Sequence, residues 1–273
     1  MKSGDELYKS TRNTWNEIWQ ESDVTRELET LSYQRARETR ALYTKYLPHH
    51  ELILEAGCGL GREVICLQDD GYQIVGIDWS QNALHQINEY KRGYRLAGAD
   101  IHELPFPDGT FSAYLSFGVL EHFEFGPEAA LGEANRVLRQ DGILVLLIPY
   151  PNLIWRLVQL RKQLMREALY KDQFYETTYT VSELRQYLHQ TGFEILHQHP
   201  VGHSFTLWGM GGPFQHEGYY KTSSFAERLG ALCSKVLPWA MCFESLLIGR
   251  KKSAIRISGT DPETLEWMDP TSG

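Results

Sequence analysis

Asp78 ends the apolar run Gln73-Ile74-Val75-Gly76-Ile77, and an earlier stretch, Leu52-Ile53-Leu54, leads into Glu55-Ala56-Gly57-Cys58-Gly59-Leu60-Gly61. The first stretch predicts a buried strand and Arg62 to Gln68 has helical composition, so the glycines fall in a strand-to-helix turn. Glycine at such a turn lets backbone approach a ligand closely. A carboxylate at the end of the second strand offers paired acceptors to the two hydroxyls of a ribose, which is the chemistry of a nucleotide-type cofactor site. Taken singly, Asp78 or Ser80 reads as the N-cap of a helix beginning near Gln81, and the glycines as an ordinary turn. Occurring together, they favour the cofactor site.

Two cofactor chemistries share this layout. A dinucleotide site requires Gly-x-Gly-x-x-Gly, but the third glycine position is held by Arg62, whose side chain obstructs the close helix and strand packing that glycine permits. A nicotinamide-dependent oxidoreductase is the weaker alternative for that reason. The pattern Glu55-x-Gly57-x-Gly59-x-Gly61 resembles motif I of the class I S-adenosylmethionine (SAM) dependent methyltransferases. Asp78-Trp79-Ser80 resembles motif II of that family. Gly98-Ala99-Asp100-Ile101 with Leu104-Pro105-Phe106-Pro107-Asp108-Gly109 resembles its adenine-binding segment, and Leu115-Ser116-Phe117-Gly118-Val119-Leu120-Glu121-His122 its strand 4 motif. Arg136-Val137-Leu138-Arg139-Gln140-Asp141-Gly142 completes the series, which covers roughly residues 50 to 150 and is most similar to the type 11 methyltransferases.

The resemblance implies SAM as cofactor and assigns expected roles. Glu55 meets the ammonium of the methionine moiety, Gly57 and Gly59 lie against the cofactor, and Asp78 holds the ribose. Trp79 covers an adenine face, Asp100 and the Ile101 amide read the adenine edge, and Ser116 and Phe117 line the cofactor near the sulfonium. Trp15, Trp19, Tyr33 and Arg37, from an N-terminal segment that closes over the cofactor in the family, are candidates to reach the methionine end or the substrate. A pair such as Trp15 and Trp19, one helical turn apart, equally suits packing anchors.

His122, just after the fourth strand, is the candidate general base, because imidazole has the right intrinsic basicity to take a proton from a hydroxyl or ammonium acceptor. A purely structural histidine remains the alternative there. His203 and His216 are further candidates, to be weighed with Trp155, Tyr179 and Trp208 as aromatic substrate contacts. Arg161 projects from the apolar face of a helix over 152–169 and calls for an anionic partner, internal or on the substrate. No metal is expected: a cluster of Glu121, His122 and Glu124 fails because on a helix His122 points away from the two acids.

These residues need a scaffold. Strands are expected near 51–56, 73–78, 95–99, 112–117, 142–148, 193–198 and 245–250, with helices near 61–70, 80–91, 128–139 and 181–191. Such alternation predicts an α/β fold, a Rossmann-like seven-stranded doubly wound sheet, and the family places its last strand antiparallel between strands 5 and 6. Residues 5–47 read as two helices, the second running from about Thr25 until Pro48 stops it. The expected divisions are an N-terminal helical cap over 1–50, the SAM-binding core over 51–150, an aromatic insertion over 151–180, and the rest of the sheet over 181–250. A second aromatic insertion falls at 199–243, and a polar tail at 251–273. Long connections at the carboxyl edge of an open sheet are where substrate pockets form, so both insertions are expected to act as a substrate lid.

Composition narrows the function further. A 273-residue chain of 42% hydrophobic residues can bury one full core with embellishments. Its net charge of −8 argues against a broad nucleic-acid surface, which needs a concentrated basic face. The four cysteines show no metal-ligand or C-x-x-C spacing, which fits a reducing cytoplasm, and no stretch reaches the length of a stable membrane span. The expected function is methyl transfer to a small molecule, with O-methylation favoured. A SAM-fold protein that binds or regulates without turnover is the rival outside enzyme chemistry.

Overall fold

Strands that must be buried on both faces are written as apolar runs without alternation, and the centre of this chain shows it. In the computed structural model, which describes residues 4–157, 160 and 176–252, β1 (Leu52–Ala56) and β4 (Phe111–Phe117) lie side by side, and Ile53, Leu54, Phe111, Ala113 and Leu115 are fully buried. Flanking them are β2 (Gln73–Asp78), β3 (Leu96–Gly98), β5 (Leu138–Pro149), β6 (Phe193–Val201) and β7 (Glu244–Lys251), in the spatial order β3-β2-β1-β4-β5-β7-β6. The first five pair in parallel. β7 inserts antiparallel between β5 and β6, as the resemblance implies.

A parallel sheet needs helices on both faces. α4 (Arg62–Asp69) and α5 (Gln81–Tyr90) belong to the core on one face, through Val64, Leu67, Leu84 and Ile87. α6 (Glu128–Val137) and α7 (Val181–Gln190) belong to the other, through Leu131, Ala134, Leu184 and Leu188. Thr180 starts α7 with a capping box shared with Glu183. The order of the strands reverses between β1 and β4, so the crevice at their carboxyl ends is the expected ligand position.

Two local expectations change. The N-terminal region is three α-helices, α1 (Gly4–Glu21), α2 (Val24–Thr30) and α3 (Gln34–Tyr43), followed by a 3₁₀ turn over Thr44–Tyr46. The second expected helix breaks because Thr30 and Ser32 hydroxyls donate to Glu27 and Glu29 carbonyls at 2.6 and 2.7 Å, closing the chain locally instead of extending the helix. β5 also begins at Leu138, four residues early: Leu138 pairs with Phe111, and the register then shifts around Asp141, which has φ of +61°.

The insertion expected at 199–243 begins as the end of β6 and continues as α8 (His203–Trp208), α9 (Ser224–Val236) and the short α10 (Pro238–Met241). Leu207, Ala226 and Met241 give this layer its own small core. Gly230 lets α9 close onto α8, since a Cβ there would sit 2.6 Å from the Ser204 nitrogen. Among the described residues no helix is long and apolar enough to cross a membrane.

Candidate active site

The glycine turn after β1 is built by backbone. Gly57 and Cys58 amides both donate to the Ile77 carbonyl, at 2.9 and 2.8 Å, tying the turn to β2. Gly57 and Gly59 have φ of +78° and +51°, a region side chains disfavour. Space is equally strict, because a Cβ at Gly57 would lie 2.6 Å from Val119 and one at Gly59 2.6 Å from the Trp19 indole. Asp78 is buried where β2 ends, accepting the Gly59 amide on Oδ2 and the Ser80 amide on Oδ1, both at 2.8 Å. Burial raises its carboxyl above the ordinary range, and those amides oppose the rise.

Around this turn lies a cavity at the carboxyl edge, walled by Trp15 and Trp19 from α1, Glu55, Asp78, Trp79, Ile101, Phe117, His122 and Phe123. Its volume is about 200 Å³, and the Trp19 indole lies over Gly59. Glu55 is buried and its Oε2 has no hydrogen-bond partner among the described residues. Burial, reinforced by Glu63, pushes its carboxyl well above the usual range. A buried, unsatisfied carboxyl oxygen facing a cavity fits a cationic group of a ligand.

Asp100 is placed differently from its expected role. Its Oδ2 accepts Tyr8 Oη at 2.5 Å, and its Oδ1 accepts the His102 amide at 2.9 Å and lies 3.0 Å from His102 Nδ1. Burial pushes this carboxyl up, but the bonds from His102 and Tyr8 outweigh it and hold it down to about 2. Asp100 therefore braces the edge of the cavity through Tyr8, whose ring meets Trp79 edge-on at 5.4 Å. Ser116 is buried in β4 with no partner for its hydroxyl among the described residues, while Phe117 reaches the cavity wall.

His122 sits on a 3₁₀ turn, Leu120–His122, that follows β4 and Gly118, and its buried ring meets Trp15 at 4.9 Å. Glu121 Oε1 is 3.9 Å from His122 Nε2, and burial holds the Glu121 carboxyl well above the usual range.

A second cavity of about 420 Å³ continues from the first, sharing Trp15, Glu27, Arg62, Glu63 and Phe117 with it. Its remaining wall includes Arg35, Tyr43, Phe205, Tyr219, Phe243 and Glu244. Tyr219 ties the helical layer over β6 to the N-terminal helices: its hydroxyl donates to Glu27 at 2.8 Å and its carbonyl accepts Tyr33 Oη at 2.9 Å. Arg62 turns inward to Glu63 at 3.2 Å, and Glu63 also accepts the Tyr43 hydroxyl.

The expected substrate contacts line neither cavity. Trp155 is 40% exposed, Tyr179 is buried against Tyr187 in the core beside α7, and His203 is 2.8 Å from the Pro238 carbonyl. Trp208 stacks on Phe205 behind the wall, His216 is exposed beside the Glu217 carbonyl, and Arg161 lies outside the described residues. Of the N-terminal candidates, Trp15 and Trp19 line the first cavity, whereas Tyr33 packs beneath Tyr219 and Arg37 is exposed. Tyr8, Glu27, Arg35 and Glu244 escaped the sequence reading. Tyr8, Trp15 and Trp19, spaced seven and four apart on α1, carried a helical-face signal that could have found the first of them.

The chain matches the methyltransferase domain family over residues 54–146. It is 29% identical to a methyltransferase-named protein of Encephalitozoon cuniculi over 164 residues, 58% of this chain and 71% of that one. It is also 29% identical over 97 residues to a protein of Mycobacterium tuberculosis named as a SAM-dependent methyltransferase, 36% of this chain and 35% of that one. In structure it superposes on a SAM-dependent methyltransferase of Methanosarcina mazei with a TM-score of 0.57 at 19% identity, covering 78% of this chain and 98% of that one. Motif order, sheet order and matched domain agree: residues 54–146 carry a methyltransferase domain, and the sheet around them has the fold of the SAM-dependent methyltransferases.

Proposed function

We propose that this enzyme methylates a small acceptor held in the second cavity, with oxygen as the favoured acceptor atom. The observation that supports this reading is that the two cavities share Phe117, Trp15 and Arg62 in their walls, so that an acceptor in the second would lie beside a cofactor in the first. SAM supplies a methyl group on a sulfonium, already activated for in-line displacement. The residues here fit it: Glu55 offers an unsatisfied carboxyl to the ammonium, Asp78 keeps free lone pairs for the ribose, and Gly57 and Gly59 leave a bare backbone floor. Trp79, Ile101 and Phe123 wall the adenine end, which Asp100 stiffens through Tyr8.

With an activated leaving group, the protein has mainly to align the acceptor and exclude water. Trp15 and Trp19, stacked at 5.1 Å, do the excluding, and His122 beside them takes the acceptor's proton. Four cysteines without a disulfide and a net charge of −8 support a cytoplasmic setting and a substrate other than nucleic acid.

Calorimetric titration is expected to show S-adenosylhomocysteine (SAH) binding and no binding of NADH; tight NADH binding with none for SAH would overturn the reading. Transfer of labelled methyl to small hydroxylated acceptors then separates an enzyme from a binding protein.

Glu55 adds a pH signature. Its carboxyl is raised in the free protein, so part of the population must lose a proton before it pairs with the ligand's ammonium. Binding therefore releases protons, and SAH affinity is expected to rise with pH until Glu55 is ionised in the free protein. Titration in two buffers of different ionisation enthalpy checks this; proton uptake, or no buffer dependence, contradicts it. Glu55→Gln should abolish the release.

A further inference from the structure

Building on the reading of the second cavity as the acceptor site, we propose that the acceptor carries a carboxylate and that Arg35 is the group that takes it. Arg35 lies in the first turn of α3 and lines the second cavity only. Its guanidinium carbon is 3.7 Å from the centroid of the Phe205 ring, which covers one face of the group.

The other charges of this wall differ. Arg62 has Glu63, Glu63 has the Tyr43 hydroxyl as well, and Glu27 has Tyr219. Among the described residues Arg35 makes no hydrogen bond or ion pair, and Glu244, across the same cavity, is not within ion-pair distance of it. Both sit deep in the protein and keep accessible surface. Burial lowers the Arg35 guanidinium from its ordinary value, with Glu244 the largest opposing influence. A cation in that position is costly unless an anion meets it, and five fixed donors match a planar oxyanion held side by side.

The charge of the wall selects among anions. Glu27, Glu63 and Glu244 stand against Arg35 and Arg62, an excess of carboxyls that repels a phosphate dianion more than a single carboxylate. Burial raises the Glu244 carboxyl, which reduces its repulsion of that one charge. The cofactor's own carboxylate is a poor candidate, because the wall shared with the cofactor cavity holds Arg62 and not Arg35.

The test pairs a panel of hydroxy- and aminocarboxylic acids, 4-hydroxybenzoate among them, with the primary amides of the same molecules, titrated into protein saturated with SAH. At least one acid should bind roughly 10-fold or more tightly than its amide. In Arg35→Gln that preference should vanish, and in Arg35→Lys, which keeps the charge but loses the fork, it should shrink. SAH affinity and the melting temperature should stay at parent values in both variants, which separates this site from the cofactor site and from a folding defect. If no acid outbinds its amide, or the preference persists in Arg35→Gln, the assignment to Arg35 is wrong. Amides outbinding acids, or inorganic phosphate outbinding every acid, would overturn the carboxylate. Failure of the parent to bind SAH would instead remove the cofactor reading on which the proposal rests.

Discussion

Replacing His122 with alanine is expected to slow methyl transfer roughly 100- to 10,000-fold, the usual contribution of a general base, while SAH affinity changes little. The expectation rests on position. Gly118, with φ of +69°, turns the chain out of β4, and the following 3₁₀ turn delivers His122 to the wall of the first cavity against Trp15. His122 lines the first cavity only, but its ring lies against Trp15, which lines both, and that contact is what would bring the imidazole near an acceptor in the second. Loss of the base should also remove the acidic limb of the kcat/KM profile, which reports its protonation. His122→Ala enzyme that binds SAH normally and turns over at nearly the parent rate would make His122 a packing partner of Trp15 and nothing more. The controls are His203→Ala and His216→Ala. His203 is committed to the Pro238 carbonyl and His216 is exposed, so neither change is expected to alter the chemical step.

The first cavity was largely legible in the sequence because its parts are local. A strand, a glycine turn and an acid ending the next strand are set by residues close in the chain, and they converge because neighbouring parallel strands end at one edge. Glu55, Gly57, Gly59, Asp78, Trp79, Ile101 and Phe117 all reach that cavity. The second cavity was not legible. Its wall joins α3 to the layer over β6, and its ties, such as Tyr33 to Tyr219 across 186 residues, leave no spacing to read. Aromatic content pointed to the two insertions as an acceptor site, but aromatic residues serve packing equally well. Tyr179 went to the core beside α7, and Trp208 went behind Phe205. The charges that distinguish the second cavity, Arg35 and Glu244, are unremarkable in sequence and informative only once enclosed.

Asp78→Ala is expected to weaken SAH binding by on the order of 1 to 3 kcal/mol, where each 1.4 kcal/mol is tenfold, because charged hydrogen bonds to the ribose are lost. A second loss follows from the structure of the free protein. Asp78 is the acceptor for the Gly59 and Ser80 amides, and leaving a buried amide without a partner costs about 1 to 3 kcal/mol. The glycine turn and the start of α5 should therefore loosen together, lowering the melting temperature as well as the affinity. Asp78→Asn divides the two effects. An amide oxygen can still serve one of the two backbone donors, so stability should fall less than in Asp78→Ala, while the lost charge still weakens the ribose contact. Measuring SAH affinity and melting temperature for both variants gives the comparison. Parent-level SAH affinity in a folded Asp78→Ala protein would mean that Asp78 only fastens the turn, and the ribose would have to be held elsewhere along the edge.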